Sequence, residues 1–198
     1  MMRLLIGIVI LGLASCSGGG ASGPAYDLKG FDTENIGGGA QIAVYRDQQG
    51  FPLSKGQVLD GVRTGSWTTY HPESTNIKTI TNYINGRKTG IEVTLNNRGQ
   101  VESVIEYKND VQHGLTGKYK FGRPTEEMTY KDGVLDGPFA IYDDNSKIQR
   151  RGSFKDGKQH GTLQFYDDQG NVTLQYEYAN GEKISGGIVE RPSEEVGS

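Results

Sequence analysis

The sequence predicts an all-β fold, an elongated antiparallel sheet of tandem β-hairpins. The chain has 198 residues, of which 30 are glycine and only 34% are hydrophobic, so it lacks the aliphatic side chains that a thick two-layer core needs. Runs such as Ile77–Ile84 alternate apolar and polar residues, as strands with one exposed face do. No stretch has convincing helical periodicity. The 11 tyrosines, against 1 tryptophan and 6 phenylalanines, suit a half-exposed sheet surface.

A short motif repeats about every 24 residues along the chain. Asp or Asn is followed by Gly, three further residues and a second Gly, and the second glycines are 25, 24, 23 and 24 residues apart. One copy has Asp110 in place of its first glycine, and the last copy, which begins at Asn180, lacks the second one. The glycines predicted to form turns are Gly61, Gly65, Gly86, Gly90, Gly114, Gly133, Gly137, Gly157, Gly161 and Gly181. A fixed period of this length indicates a repeat architecture.

Two kinds of turn divide each unit into two strands. Asn-Gly and Asp-Gly pairs supply the positive φ angles of tight hairpin turns. A second set of turn residues lies at 96–99, 121–124, 143–146 and 167–170. The chain is therefore expected to reverse about every twelve residues and to form a meander of antiparallel strands of about six residues.

Aromatic residues follow the same period. One series precedes the first motif glycines: Tyr83, Tyr107, Tyr130, Phe154 and Tyr178. Another follows the second glycines, and Tyr45 precedes Tyr70 by 25 residues, so a degenerate unit is expected to begin near Gly38. Rings one repeat apart can form the thin core of the sheet. Exposed rings could instead bind a glycan or a partner protein, and the candidates for such binding are Trp67, Tyr70, Tyr119, Phe139, Tyr142 and Tyr166.

The N-terminus carries a predicted export signal. Arg3 precedes an apolar run at residues 4–13, which has the length of a signal-peptide core. The residues Leu13-Ala14-Ser15-Cys16 resemble the lipobox of bacterial lipoproteins. The resemblance implies a signal peptide at residues 1–15, a lipidated Cys16 as membrane anchor, and a Gly/Ser-rich tether over residues 16–37. The alternative is an ordinary secretory signal beside a free thiol.

That resemblance also implies a cellular location and an oxidising environment. A lipidated Cys16 implies the bacterial cell envelope, and we expect the outer membrane, on its periplasmic or surface face, with the inner membrane as the alternative. Because Cys16 is the only cysteine, the sequence excludes an internal disulfide despite export to an oxidising compartment.

Residues 130–142, with the sequence YKDGVLDGPFAIY, carry a family resemblance. They resemble the variant MORN repeat of bacterial YwqK-like antitoxin-family proteins, with its pattern Y-x-D/N-G-x-x-x-G-x-W/F-x-x-Y. The resemblance covers about residues 57–189 and implies an elongated, twisted sheet of stacked hairpins without implying a chemistry. We therefore expect a MORN-like repeat domain over residues 38–190 and a disordered tail over residues 191–198.

The sequence carries no predicted catalytic site, metal site or cofactor. Charged residues of both signs are mixed along the chain, with a net charge of -3, which argues against nucleic-acid binding. His113 and His160 occupy equivalent positions two repeats apart, too far to share a metal ion. The acidic pairs at 143–144 and 167–168 could bind calcium weakly, but turn residues of this type usually bond their own backbone. No serine-hydrolase elbow, P-loop or zinc-protease motif is present.

These observations predict a membrane-anchored, non-catalytic repeat module for protein–protein interaction or scaffolding in the bacterial envelope. Two alternatives stay open at this point. One is binding of a glycan or peptidoglycan through exposed aromatic side chains. The other, an antitoxin or immunity function, rests on the family name alone.

Overall fold

The computed structural model describes residues 23–190, which form one open sheet of consecutive antiparallel strands. The strands are β1 (Phe31–Gly37), β2 (Ala40–Arg46), β3 (Pro52–Leu59), β4 (Val62–Tyr70), β5 (Ile77–Ile84), β6 (Arg87–Leu95), β7 (Val101–Lys108), β8 (Val111–Lys120), β9 (Arg123–Lys131), β10 (Val134–Tyr142), β11 (Ile148–Lys155), β12 (Lys158–Gln159), β13 (Gly161–Tyr166), β14 (Val172–Ala179) and β15 (Glu182–Ile188). Each strand pairs with the next along the chain, except that β11 pairs with both the short β12 and β13. The predicted all-β sheet of tandem hairpins is confirmed.

Several predicted features lie outside the described residues. They are the signal peptide, the lipidated Cys16 and the C-terminal tail. Within residues 23–190, the chain contains no helix with the length and hydropathy needed to cross a membrane.

One edge of the sheet, called here the turn edge, consists of two-residue turns. In each of these turns both central residues have positive φ, as in the turn that joins β9 to β10, where Asp132 has φ 49° and Gly133 has φ 83°. These are type I′ turns, whose twist matches that of the flanking strands. Asp110 replaces the glycine of one turn and still adopts a φ of 69°.

Hydrogen bonds link each turn on this edge to the hairpin before it. The Gly133 N–H donates to the Gln112 carbonyl at 2.8 Å, and the Gly157 N–H donates to the Leu135 carbonyl at the same distance. Equivalent bonds join Gly86 to Arg63, Asp110 to Lys88 and Gly181 to Gln159. A Cβ on Gly133 would also lie 3.3 Å from Cγ1 of Val111. The first motif glycine therefore serves both the turn and close packing between units.

The second motif glycines lie outside the turns, and the prediction that they form turns is wrong. Gly65 lies within β4 with φ 64°, where the register between β3 and β4 shifts so that Gln57 pairs with Thr64 but Lys55 pairs with Thr68. Gly90, Gly114, Gly137 and Gly161 have positive φ at the equivalent positions. Each therefore forms a β-bulge that inserts extra residues into one strand. The motif spacing is the same for a turn and for a bulge, so the sequence did not separate them.

The opposite edge, called here the loop edge, carries four loops of one type. The first residues of these loops are Asp47, Asn96, Asp143 and Asp167, and each side chain accepts hydrogen bonds from two backbone N–H groups of its own loop. At Asp143 the donors are the N–H groups of Asn145 and Lys147, both at 2.8 Å. The side chains thus replace part of the hydrogen bonding that the strands supply elsewhere.

Side chains alternate between two faces of the sheet. We call the face that carries Val58, Trp67 and Tyr83 the core face, because these residues and Ala43 form its buried cluster. The other is the open face. Trp67 lies flat against the backbone of Gly56, where an added Cβ would be only 2.1 Å from Cδ2 of the indole. Only a residue without a side chain fits beneath this ring.

The N-terminal boundary of the repeat domain differs from the prediction. Residues 31–37 were expected in the tether but form β1, which pairs with β2 over registers such as Phe31 with Tyr45. Tyr26, Leu28 and Phe31 pack against the cluster around Trp67, with the rings of Tyr26 and Trp67 5.0 Å apart. The tether assignment through residue 37 is therefore wrong. These three apolar side chains cover the N-terminal end of the core face and become partly buried there.

Candidate functional site

Two of the six candidate binding aromatics are buried and cannot act as exposed platforms. Trp67 is 4% exposed, and its indole N–H donates to the Gln57 carbonyl at 3.0 Å. Phe139 is 7% exposed and packs against Phe154 with ring centres 5.1 Å apart and ring planes tilted by 45°. The prediction that these two rings bind a ligand is wrong, because the core of a single-layer sheet needs its largest apolar side chains.

The other four candidates lie on the open face beside the loop edge. Each is half-buried and pairs across the strands with an aliphatic residue or proline: Tyr70 with Ile77, Tyr119 with Pro124, Tyr142 with Ile148 and Tyr166 with Val172. The series does not extend back to Tyr45. The register places Arg46 opposite Pro52, as Tyr70 is placed opposite Ile77, so Arg46 occupies the equivalent position.

Tyr142 makes the strongest polar contact of this tyrosine row. Its hydroxyl donates to Oε2 of Glu127 at 2.7 Å. Burial and the neighbouring carboxylate raise the pKa of Tyr142 to about 12, because both disfavour a phenolate. The Tyr166 hydroxyl donates to Gln164 at 2.9 Å, and Arg151 lies over the Tyr166 ring. These contacts hold the rings against the sheet.

On the core face, cations lie over the tyrosines of the following unit. The Arg63 guanidinium is 4.0 Å from the centre of the Tyr83 ring and donates to its hydroxyl at 2.9 Å. Burial raises the pKa of Tyr83, although Arg63 opposes this. Burial lowers the pKa of Lys88, but the hydrogen bond and charge of Glu92 outweigh burial, so that the pKa is raised overall. This pattern joins neighbouring hairpins into one array.

The two histidines in equivalent positions have ordinary turn surroundings. His113 Nδ1 lies 3.2 Å from Oδ1 of Asp132. The His160 N–H donates to the Ser153 carbonyl at 3.0 Å. Within residues 23–190, no three His, Cys, Asp or Glu side chains are grouped so that they could hold a metal ion.

The open face carries a row of exposed aliphatic side chains beside the turn edge. They are Ile84, Ile91, Val111, Leu115 and Val134, with exposures from 43% to 59%. The row runs from β5 to β10, which spans about 24 Å at the usual strand spacing. A group of exposed apolar side chains rimmed by polar residues typically marks an interaction site.

Unpaired cations are interleaved with this row. Arg87, Lys108, Lys131 and Lys158 are exposed on the same face, and none of them forms a salt bridge within the described part of the chain. Lys108 pairs across the strands with Val111, and Lys131 pairs with Val134. The aliphatic row and these four cations are called the turn-edge stripe below.

The nearby turn carboxylates are engaged elsewhere. Oδ1 of Asp110 accepts the Lys88 backbone N–H at 2.8 Å. Oδ1 of Asp132 lies 3.2 Å from Nδ1 of His113. Glu106 is an exposed carboxylate within the row itself, where it pairs across the strands with Ile91 and accepts the Leu115 N–H at 3.3 Å. The stripe therefore presents apolar side chains among four cations and this one carboxylate.

The sequence did not predict this stripe. The motif position directly after each first glycine varies in residue type from unit to unit. No single residue type therefore marks it in the repeat. A tally of the residues directly after each first glycine or its Asp110 equivalent would have drawn attention to that edge, since it gives Val62, Arg87, Val111, Val134, Lys158 and Glu182.

Comparison with known proteins gives little similarity. No family model and no curated protein matches the chain. Among solved structures, the chain is similar to the crystal structure of TarM, with 13% identity and a TM-score of 0.34, over 59% of this chain and 20% of that chain. A mutant of S. aureus TarM in complex with Fondaparinux, alpha-GlcNAc-glycerol and UDP gives 12% identity and a TM-score of 0.34, over 59% of this chain and 21% of that chain. The chain thus spans about a fifth of the length of these structures, and similarity at this level does not bear on function.

Proposed function

We propose that this protein is a non-catalytic binding module of the bacterial envelope, held to the membrane by a lipid on Cys16, that binds a partner protein through the turn-edge stripe. The observation that carries the proposal is the row of exposed aliphatic side chains interleaved with unpaired cations on the open face. Burying this row against a partner would remove apolar surface from water, which is the main source of stability in protein complexes.

The charges of the stripe define the kind of partner. Arg87, Lys108 and Lys131 favour a surface that combines acidic and apolar side chains, since complementary charge speeds association and disfavours wrong partners. A second copy of this chain fits poorly, because it would set the four cations of one stripe against those of the other, with Glu106 as the single carboxylate within the row to meet them. Scaffolding suits the repeat array, whose rigid, extended face can hold one partner along several units.

Charge reversal within the stripe tests this function. We expect Lys108→Glu combined with Lys131→Glu to lower recovery of the partner from detergent-solubilised envelope at least tenfold. The partner is the protein that the wild-type chain retains at low salt and releases at high salt. Lys29→Glu, an exposed lysine of the N-terminal segment, is the matched control and should leave recovery unchanged.

Two results would overturn the proposal. One is equal recovery of the partner by the wild-type chain and the double variant. The other is the absence of any salt-sensitive partner in the wild-type eluate.

A further inference from the structure

The loop edge contains one connection that differs from its neighbours. β8 and β9 are joined by the two-residue turn Phe121–Gly122, with φ angles of 54° and 76°. The connections on either side are longer loops, in which the Asn96 N–H donates to the Gln100 carbonyl and the Asp143 N–H donates to the Lys147 carbonyl, each at 2.9 Å. The shorter turn leaves a notch in the loop edge, with Phe121 at its centre.

Folding does not explain the phenylalanine at this position. In the two-residue turns of the turn edge the first central residue is Asp, Asn or, between β1 and β2, Gly38, all of which tolerate positive φ well. Phe121 adopts the same backbone conformation, but its ring is 68% exposed. A bulky aromatic is unfavourable both for this backbone and for contact with water. A residue that is unfavourable for folding in two ways is a candidate for ligand binding.

Two open grooves, with volumes of about 400 and 500 Å³, meet at the Phe121 ring. Lys120, Arg123 and Pro124 line the first groove. The second is lined by Lys78, Arg98 and several amide side chains of the neighbouring loop. Apart from Phe121, Pro124 is the only apolar residue that lines either groove within the described chain.

The lining of the two grooves has four cations and three carboxylates, which leaves a net charge of +1. The Asp143 carboxylate accepts two backbone N–H groups of its own loop, and Asp144 pairs with Lys120 at 3.1 Å. Arg123 donates one hydrogen bond to the Asp144 carbonyl. Lys78 and Arg98 form no salt bridge within residues 23–190. Of the carboxylates in the lining, Glu102 alone makes no hydrogen bond or salt bridge with the described residues.

We propose that this notch binds an anionic polysaccharide strand, with one sugar ring stacked on Phe121. A pyranose offers a face of C–H groups to an aromatic ring and a rim of hydroxyls to amide and charged side chains, which matches one exposed ring amid polar groups. The carboxylates or phosphates of the strand would contact Lys78, Arg98 and Arg123. An acidic peptide fits less well, since its apolar side chains would find no second apolar contact beyond Pro124.

The test measures affinity and stability of the Phe121→Asn variant together. Isothermal titration of the full, detergent-solubilised chain at low salt uses three probes: tetragalacturonate for carboxylates, a phosphomannan oligosaccharide for phosphates, and cellotetraose as a neutral glycan. We expect at least one anionic probe to bind at least tenfold more tightly than cellotetraose. Phe121→Asn should weaken that binding at least tenfold, while its melting temperature equals or exceeds that of the wild type.

Phe51→Asn provides the matched control, because Phe51 is an exposed aromatic of another loop that lines neither groove. It should leave the affinity unchanged. Equal binding of anionic and neutral probes, or no binding of either anionic probe, would overturn the proposal. So would a lower melting temperature of Phe121→Asn, which would show that the ring serves folding.

Discussion

At the scale of single residues, the core of this sheet depends on rings packed against glycine. Trp67 covers Gly56, and Phe139 covers Gly152 on the adjacent strand, where an added Cβ would be 2.8 Å from Cε1 of the phenyl ring. A single layer has no second sheet to supply packing partners, so a ring obtains contact from the backbone beneath it. Such positions should be intolerant of even one methyl group.

Alanine substitutions at these glycines should therefore destabilise the sheet in proportion to the clash. We expect Gly56→Ala to lower the free energy of unfolding by about 2 to 3 kcal/mol and Gly152→Ala by about 1 kcal/mol. Gly187→Ala is the control, since nothing lies within 4 Å of its added Cβ and its φ is unstrained. Urea denaturation measures all three. A loss at Gly56 no larger than that at Gly187 would contradict the packing of Trp67.

The raised pKa of Tyr142 makes stability depend on alkaline pH. Its folded value of about 12 exceeds the ordinary 10.0, so the protonated hydroxyl stabilises the fold below pH 10, and this contribution is lost as the pH rises through about 12. We expect the difference in melting temperature between wild type and Tyr142→Phe to be constant up to about pH 10 and to shrink from there to about pH 12. A constant difference over that range would show that the bond to Glu127 does not hold the proton.

At the scale of elements, the loops of the loop edge are ordered by their first side chains. Asp143 accepts two backbone hydrogen bonds, whereas its neighbour Asp144 is 83% exposed and makes a surface salt bridge with Lys120. The two residues are adjacent acids with different structural roles. Comparing substitutions at Asp143 and Asp144 therefore separates the effect of losing the loop hydrogen bonds from the effect of losing a negative charge.

We expect Asp143→Ala to lower the free energy of unfolding by about 1.5 to 3 kcal/mol, because two N–H groups lose a charged acceptor. Asp144→Ala should cost less than about 0.5 kcal/mol, in keeping with exposed ion pairs. Thermal melting of both variants in one buffer provides the measurement. Equal losses would show that the loop is ordered by its backbone alone.

The sequence predicted the hairpins and their primed turns, because an Asn-Gly or Asp-Gly pair restricts the backbone locally. It did not distinguish Gly65 as a bulge residue, since a positive φ has the same sequence signature in a turn and in a strand. It also missed the packing of Tyr26 on Trp67, which joins residues far apart in sequence. The sequence did not predict that Trp67 is buried, because periodicity does not show which face of the sheet is covered.

At the scale of the whole molecule, hydrogen bonds between successive turns make each hairpin depend on its neighbours. The bond from Gly133 to Gln112 recurs along the turn edge, so the units form one array in which stability is shared by nearest neighbours. The core face is covered at its N-terminal end by Tyr26, Leu28 and Phe31. The open face leaves Val111 and Val134 exposed. This asymmetry between the two faces is the basis of the proposed function.

Site-specific photo-crosslinking in cells tests that function most directly. A photoreactive amino acid is placed at Val111, in the stripe on the open face, and separately at Gln112, the next residue, on the core face of the same strand. We predict a crosslinked adduct with one partner protein at Val111, no such adduct at Gln112, and loss of the Val111 adduct when Lys108→Glu and Lys131→Glu are added. Adducts of equal yield at both positions, or none at Val111, would contradict the assignment of partner binding to the open face.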